Sequence, residues 1–329
     1  YMDRIDILLA TYNGEKYLRN QIDSILNQTY ADFNLIISDD ASTDDTVKIL
    51  EEYKKKDSRI TVYNQEENIG STNNFEFLLT KVQNDYYMLS DQDDIWEKEK
   101  IEKSVKKIKE TNADLVFSDL AVVDENLNII NESFCKLKNI YSKIKKDKNY
   151  EALYLNNYVT GCTILSKKEY INKILPIPKD VKYLIHDYWI AIVVSQNGKL
   201  EFIDEPLVKY RQHGNNQVGT AQRTEKMNSI EDIRNLFLEV KIEHFNVFNQ
   251  ERELFSESKQ ELNKKALEYY KRLKSVKNIN FKDLSIFNKL YKYENKKYFI
   301  LNFIILNMPC IARVLYKVKR GVRHDRTEN

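Results

Sequence analysis

The first 120 residues alternate between short apolar runs and longer segments with a helical repeat. Residues 5–10 (IDILLA), 33–38 and 86–89 are apolar runs of strand length, whereas residues 17–28 place their aliphatic side chains on one helical face. This alternation predicts a mainly parallel sheet with helices on both faces. The sequence therefore predicts an α/β fold of the doubly wound, Rossmann-like class.

The pattern becomes less regular after Leu120. A helix is predicted over residues 188–195 and short strands over 200–203 and 207–210, and from about Ser229 the chain is helical and rich in Lys and Tyr. We expect an α/β domain over residues 1–221, in two halves that meet near residue 120. A helical basic extension over residues 222–329 is expected to follow.

Charge is divided unevenly between these two parts. Residues 1–221 contain 29 Lys/Arg and 36 Asp/Glu, and residues 222–329 contain 23 and 14. The excess of acidic residues in 1–221 is typical of a site that binds a cation. The excess of basic residues in 222–329 favours binding to an anionic surface such as phospholipid, or to a pyrophosphate-linked acceptor. The three widely spaced cysteines form no CxxC pair, so neither a zinc site nor a disulfide framework is indicated, and a reducing cytosol is expected.

Polar clusters follow the predicted strands. They occupy residues 11–14, 39–45, 68–74 and 91–94. Open α/β sheets bind ligands outside the carboxyl ends of their strands, so we expect the four clusters to converge on one edge. A carboxylate at 39 or 40 could accept a hydrogen bond from a base N–H or a ribose hydroxyl.

The acidic turn Asp91-Gln92-Asp93-Asp94 carries the clearest chemical signal. Three carboxylates within four residues repel one another, and they directly follow an apolar strand. A hard divalent cation such as Mg²⁺ or Mn²⁺ would offset that repulsion and keep positions open for phosphates. The alternative is a solvated acidic turn that caps the following helix.

Several motifs together resemble the opening of family 2 glycosyltransferases. They are ATYNG at residues 10–14, YL at 17–18, QIDSI at 21–25, QTY at 28–30, SDDASTD at 38–44, NIG at 68–70 and SDQDDIW at 90–96. The resemblance covers roughly residues 5–219 and implies the GT-A fold. It also implies a nucleotide-sugar half over about residues 1–120 and an acceptor half over about 121–221.

A narrower resemblance concerns the donor. SDQDDIW, HDYW at residues 186–189 and YRQHGNN at 210–216 are similar to motifs of bacterial rhamnosyltransferases that build cell-wall polysaccharide and O-antigen. This implies an inverting transfer of L-rhamnose from dTDP-L-rhamnose onto a glycan. Related enzymes with the same motifs use UDP-sugars, so a UDP-hexose or UDP-N-acetylhexosamine donor is the alternative.

The family's functional residues carry over by position. For the nucleotide and its diphosphate, the resemblance implies Thr11, Asn13, Asp39, Asp40, Asn68, Asp91 and Arg211. For Mg²⁺ or Mn²⁺ it implies Asp91, Asp93 and His213. Asp187 matches the catalytic base, although it follows His186 where the family more often has Glu.

Each of these assignments has a structural alternative. Asp187 could be the N-cap of the helix that follows it, and His213 could be a structural histidine. Other classes also stay open. A nucleotidyltransferase would need a Gly- and Arg/Lys-rich phosphate loop, which residues 11–16 do not supply, and a non-catalytic sugar-binding module need not keep Asp93 and Asp187.

The C-terminal residues 286–329 contain 10 Lys/Arg against 3 Asp/Glu, around an apolar segment near residues 299–306. They predict either an interfacial helix on anionic lipid, where a lipid-linked acceptor would lie, or a helical hairpin or dimer contact. No signal peptide or membrane-spanning helix is expected. We therefore expect a cytoplasmic protein, peripheral on the inner face of the plasma membrane, that binds a nucleotide-sugar donor and no nucleic acid.

Overall fold

A mixed β-sheet of nine strands runs through the centre of the protein. The computed structural model describes residues 3–147, 150–214, 229–275, 281–294, 296–308 and 311–312. Within them the strands are β1 (Ile5–Thr11), β2 (Phe33–Asp39), β3 (Ile60–Asn64), β4 (Tyr86–Ser90), β5 (Ile95–Trp96), β6 (Leu115–Val123), β7 (Ile129–Asn131), β8 (Ile164–Lys167) and β9 (Leu200–Arg211).

The strand order is β3-β2-β1-β4-β8-β6-β9-β5, with β7 paired to β6. The first four of these strands are parallel, as the alternating pattern predicts. β8 then enters in the opposite direction between β4 and β6, while β6 and β9 are parallel and β5 is antiparallel to β9. The predicted α/β fold is confirmed, and the half of the sheet after β4 is mixed.

Helices cover both faces of the sheet. The α-helices are α1 (Leu18–Leu26), α2 (Thr46–Lys56), α3 (Ser71–Leu79), α4 (Lys100–Thr111), α5 (Phe134–Leu137), α6 (Ile140–Lys146), α7 (Ile171–Ile174), α8 (His186–Asn197), α9 (Ile230–Gln250), α10 (Glu257–Ser275), α11 (Phe281–Tyr291) and α12 (Lys296–Asn307). Alternate residues of β1 serve the two faces: Ile7 packs with α1, α2 and α4, and Leu8 packs with α3 and α8.

The C-terminal helices share the second of these cores. The apolar cluster around α8 continues through Phe245 of α9, Tyr270 of α10, Phe287 of α11 and Leu306 of α12. The predicted helical C-terminal region is therefore confirmed. The predicted domain boundary at residues 221 and 222 lies outside the described residues.

Two strand predictions were wrong in detail. The expected strands at residues 200–203 and 207–210 are one strand, β9, which stays continuous through Pro206 because its pairing with β6 shifts register near Asp119. The two-residue strand β5 has no pattern long enough to predict. No helix in the described part of the chain is long and apolar enough to cross a membrane.

Candidate functional site

The polar clusters that follow β1, β2 and β4 lie at one edge of the sheet, as predicted. Thr11 and Asp39 are register partners at the ends of β1 and β2, and Thr11 Oγ1 donates to Asp39 Oδ1 at 2.9 Å. Ser90 ends β4, and Asp91 follows it. Ligands of open α/β sheets bind at this kind of edge.

Asp39 and Asn13 fix the turn after β2 from two sides. Asp39 is buried and accepts from Ser42 through both oxygens, from Oγ at 2.6 Å and from the backbone N–H at 2.8 Å. Asn13, whose φ is 47°, accepts from the N–H of Thr43 at 2.8 Å. Asn tolerates this left-handed conformation better than most residues. Thr11, Asn13 and Asp39 thus form one network, and their contact with a nucleotide stays a prediction.

Asp40 supports a neighbouring loop. Its two carboxylate oxygens accept from the N–H groups of Ile69 and Gly70, at 2.8 and 2.9 Å. The side chain of Asn68, one residue earlier, is exposed. Asp40 therefore fixes the loop that carries Asn68, and the predicted role of both in nucleotide binding is not tested by these contacts.

The last carboxyl group of the acidic turn, that of Asp94, lies inside the protein. Asp94 is fully buried, and its Oδ1 accepts from the N–H of Arg211 at 3.2 Å. Burial, together with the charges of Asp93 and Asp91, raises the pKa of Asp94 well above its usual range. The N-cap position of α4 is Glu99. The alternative that this turn caps α4 is therefore wrong.

Arg211 ties the acidic turn to the hairpin after β6. Its buried guanidinium donates from Nε to the carbonyl of Asp93 at 2.8 Å and from Nη1 to the carbonyl of Glu125 at 2.6 Å. The guanidinium carbon also lies 4.4 Å from the centre of the Tyr17 ring. These contacts support the turn, and the predicted contact of Arg211 with a diphosphate stays a prediction.

His213 reaches the same turn. Its Nε2 lies 2.8 Å from Asp93 Oδ2, and its ring centre lies 4.9 Å from that of Tyr17. Two of the predicted metal ligands are thus adjacent. The pair could share a cation or hold each other by a hydrogen bond, and Asn215 and Asn216 of the same motif lie outside the described residues.

The carboxyl groups of Asp91 and Asp94 lie close to the thiol of Cys162. Ligand atoms of Asp91, Asp94 and Cys162 lie within 4.8 Å of one another. Cys162 is buried, and its burial and the two carboxyl groups raise the pKa of its thiol well above the usual range. A thiol is a soft ligand, whereas Mg²⁺ and Mn²⁺ prefer oxygen ligands. We therefore regard Cys162 as a structural residue beneath the turn, and Asp94, which accepts from the N–H of Arg211, as the residue that fixes the end of the turn to β9.

The remaining groups fit a hard divalent cation. Burial, and then the charges of Asp93 and Asp187, raise the pKa of Asp91 to about 7. A large fraction of this carboxyl group is therefore protonated near pH 7, and a nearby positive charge would favour its ionised form. Carboxylate oxygens are the donors that Mg²⁺ and Mn²⁺ prefer, and Asp91 and Asp93 supply them at one turn.

Lys100 lies below this acidic cluster and was not predicted. It is fully buried in the first turn of α4, with Nζ 3.7 Å from the centre of the Trp96 ring. Burial lowers its pKa to about 7, although nearby Cys162 and Asp94 raise it. The sequence does not single out Lys100, because it begins a Lys-rich helix whose other four lysines are exposed or half-buried.

Asp187 lies in the first turn of the buried helix α8. Its Oδ1 accepts from the side-chain amide of Asn157 at 3.0 Å, and its Oδ2 accepts from the N–H of Gly161 at 3.0 Å. The N-cap position of α8 is Ile185, so the alternative that Asp187 is the N-cap is wrong. Burial raises its pKa to about 6, and its charge acts on Asp91. The predicted base and the acidic turn therefore share one electrostatic environment.

His186 is a packing residue in this structure. Its ring stacks on Phe75 with 4.0 Å between ring centres, and burial lowers its pKa to about 3. It is therefore neutral at pH 7. Replacing the family's Glu by His at this position thus adds no charge beside Asp187.

Gln92 is a second residue of the site that the sequence does not indicate. Its side-chain amide accepts from the N–H of Tyr12 at 2.8 Å and donates to the Tyr12 carbonyl at 2.9 Å. A side chain at Gly14 would collide with Gln92, because a Cβ there would lie 2.2 Å from Oε1. Gln92 thus joins the turn after β1 to the acidic turn.

We expect Asp91→Asn to stabilise the metal-free protein more at pH 8 than at pH 4.5. The pKa of Asp91 is raised from 3.8 to about 7, so the folded state keeps a proton that the unfolded state releases. Stability therefore falls as pH rises between these values, and Asn avoids that loss. The difference should be on the order of 1–3 kcal/mol for a half-buried group.

Urea unfolding with EDTA at the two pH values measures this difference. Glu97→Gln is the matched control, because it removes one charge from an exposed carboxylate near the same turn. If Asp91→Asn changed the free energy of unfolding equally at both pH values, the pKa of Asp91 would not be raised in the folded protein.

Comparison with known proteins gives a family and several relatives. The family model described as "Glycosyl transferase family 2" matches residues 6–175. The dTDP-rhamnosyl transferase RfbG of Shigella flexneri is 32% identical over 222 residues, which cover 64% of this chain and 73% of that protein. An uncharacterised glycosyltransferase of Methanocaldococcus jannaschii is 32% identical over 211 residues, 63% of this chain and 70% of its own.

Solved structures show the same fold at low sequence identity. S. aureus TarS 1-349 in complex with UDP-GlcNAc aligns with a TM-score of 0.60 and 15% identity, covering 97% of this chain and 92% of that chain. The mannosyltransferase PcManGT from Pyrobaculum calidifontis, in complex with GDP-Man and Mn²⁺, aligns with a TM-score of 0.53 and 16% identity, covering 97% and 88%. The predicted GT-A fold is confirmed.

Proposed function

Because the chain belongs to glycosyl transferase family 2, whose model spans just over half of it, we propose that it is a metal-dependent, inverting glycosyltransferase. It moves a sugar from a nucleoside diphosphate onto a hydroxyl group of a glycan. The observation that carries this proposal is the position of Asp187 beside the acidic turn. Gly161 donates its N–H to Asp187 at 3.0 Å, and the Sγ atom of the next residue, Cys162, lies within 4.8 Å of a carboxylate oxygen of Asp91. Family membership argues against a nucleotidyltransferase or a non-catalytic sugar-binding module.

Asp187 is proposed as the general base. The acceptor oxygen forms a bond to the anomeric carbon, the bond from that carbon to the diphosphate breaks, and the hydroxyl proton passes to the Asp187 carboxylate. Burial raises the pKa of this carboxyl to about 6, which lies near the pH at which a base works best. A single base on the face opposite the leaving group gives inversion.

Asp91 and Asp93, with His213, are proposed to hold Mg²⁺ or Mn²⁺. A bound divalent cation supplies positive charge that stabilises the departing diphosphate. The Mn²⁺ in the solved mannosyltransferase of this fold supports a metal here. Around it, Thr11, Asn13, Asp39, Asp40 and Asn68 are proposed to line the nucleotide, and Arg211 to lie beside the diphosphate.

The donor is proposed to be dTDP-L-rhamnose. Support comes from the relative described as a dTDP-rhamnosyl transferase, at 32% identity, together with the motifs at residues 90–96, 186–189 and 210–216. A UDP-hexose or UDP-N-acetylhexosamine is the second candidate, which the UDP and UDP-GlcNAc complexes of TarS favour.

Calorimetric titration of the protein with dTDP and with UDP, each in the presence of Mn²⁺, tests the nucleotide. We expect dTDP to bind at least about tenfold more tightly than UDP. Such a preference corresponds to a difference in binding free energy of about 1.4 kcal/mol. GDP serves as the control for non-selective diphosphate binding. Tight binding of UDP with weak binding of dTDP would reject the rhamnose donor and leave the glycosyltransferase proposal intact.

The two parts of the chain are proposed to have different tasks. Residues 1–221 bind the donor and carry out the transfer, with the nucleotide in about residues 1–120 and the acceptor in about 121–221. Residues 222–329, with 23 Lys/Arg against 14 Asp/Glu, bring the enzyme to the cytoplasmic face of the plasma membrane, where a lipid-linked glycan acceptor in surface polysaccharide synthesis would lie.

A further inference from the structure

Helix α12 is held to the protein by one face. Phe299 and Phe303 pack edge-on against Phe287 of α11, with 5.0 and 5.2 Å between ring centres, and Leu306 is buried. These three residues follow one another at helical spacing. The opposite side of α12 is therefore turned away from the core.

That outer face is apolar and exposed. Tyr298, Ile300 and Leu301 of α12 are 40%, 47% and 42% exposed, and Ile311, four residues after the end of the helix, is 44% exposed. They are four of the ten large apolar side chains that are exposed in the described part of the chain, and they lie within 14 residues. Single exposed apolar residues need no explanation, but a cluster of this kind marks an interaction surface. We call these four residues the α12 face.

Positive charge flanks the α12 face on both sides in sequence. Lys296 and Lys297 are exposed at its start, and residues 313–329 contain six Lys/Arg against two Asp/Glu. A partner for this surface must therefore accept apolar side chains and carry negative charge. A bilayer with anionic headgroups has both properties.

The length of the helix fixes how it would lie. Twelve residues of α-helix span about 18 Å, which is short of the roughly 30 Å of a hydrocarbon core. The helix can therefore lie in the interface but cannot cross it. A second copy of the chain is a poorer partner, because a two-fold contact through this face would bring the flanking lysines of both copies together.

We propose that the α12 face docks the protein on an anionic membrane surface, with Ile300 and Leu301 inserted among the acyl chains and the flanking lysines on the headgroups. The proposal deepens the proposed function by assigning the membrane contact to a specific helix face. Vesicle binding needs no transfer reaction, so its failure is distinguishable from failure of the proposed function.

Cosedimentation of the full chain with vesicles tests this proposal. We expect binding to vesicles of phosphatidylcholine with about 30% phosphatidylglycerol, and binding at least about tenfold weaker to phosphatidylcholine alone. The double variant Ile300→Glu with Leu301→Glu should lower binding by about tenfold or more, because it places charge where apolar side chains would insert. Lys296→Glu with Lys297→Glu should weaken binding mainly at low salt.

The control is Ile129→Glu with Ile130→Glu. These two isoleucines of β7 are even more exposed, at 59% and 58%, but they are far from α12 in the sequence and lack its flanking lysines. The control should keep vesicle binding, and the α12 variant should keep donor hydrolysis. Equal loss in both variants, unchanged binding in the α12 variant, or a drop from dimer to monomer without loss of vesicle binding would overturn the proposal.

Discussion

Asp187→Asn is expected to lower single-turnover transfer by about 10²–10⁴-fold, the usual contribution of a general base, while nucleotide affinity stays nearly unchanged. Asn keeps the shape of the side chain but cannot take the acceptor's proton. Its amide oxygen can still accept one of the two hydrogen bonds that Asp187 accepts from Asn157 and Gly161. The effect should therefore appear in the transfer rate rather than in donor binding.

Asn157→Ala is the matched control for this substitution. It removes the 3.0 Å hydrogen bond to Asp187 but leaves the carboxylate in place. Loss of one such bond should cost much less than loss of the base, on the order of tenfold. Transfer by Asp187→Asn at the rate of Asn157→Ala would show that Asp187 only holds the loop around Gly161, and the base would have to be sought elsewhere at the edge.

Asp93→Ala is expected to abolish metal-dependent nucleotide binding and to lower transfer by at least about 10²–10³-fold. The fold should survive, because the Asp93 charge raises the pKa of both Asp91 and Asp94 and its removal relieves that repulsion. Stability of the metal-free variant should therefore equal or exceed that of the parent. Nucleotide affinity measured with Mn²⁺ and with EDTA tests the loss of metal-dependent binding. Urea unfolding tests the stability of the metal-free variant.

Glu97→Gln again provides the control, since it removes a charge of the same sign from the surface near the turn. It should keep both the metal response and the transfer rate. Turnover of Asp93→Ala that is still stimulated by metal would rule out Asp93 as a ligand. The contact of Asp93 Oδ2 with His213 would then be only a structural hydrogen bond.

The sequence predicts the strand ends of the site well. β1, β2 and β4 are apolar runs that end at Thr11, Asp39 and Ser90. Parallel pairing brings the ends of such strands to one edge of the sheet, independently of the conformation of the loops. Prediction of that edge therefore needs only local pattern and the rule for parallel sheets. The position of Asp187 was predicted only through a motif, because α8 is buried along nine successive residues and shows no amphipathic face.

Contacts between distant residues could not be predicted in this way. Gln92 pairs with Tyr12 across 80 residues of sequence, and Arg211 donates to Asp93 across 118. Lys100 is buried beneath the acidic turn, although its segment is rich in exposed lysines. Each of these contacts depends on how β4, α4 and β9 meet in three dimensions, which composition and periodicity do not encode.

The most direct test of metal-dependent, inverting transfer needs no knowledge of the acceptor. Water can replace the acceptor hydroxyl, so proton NMR can follow hydrolysis of the nucleotide sugar and identify the anomer that forms first. We expect release of nucleoside diphosphate only with Mg²⁺ or Mn²⁺, a first-formed sugar of inverted configuration, and loss of both the release and the inverted sugar in Asp187→Asn. A first-formed sugar of retained configuration, or equal release in EDTA, would contradict metal-dependent, inverting transfer.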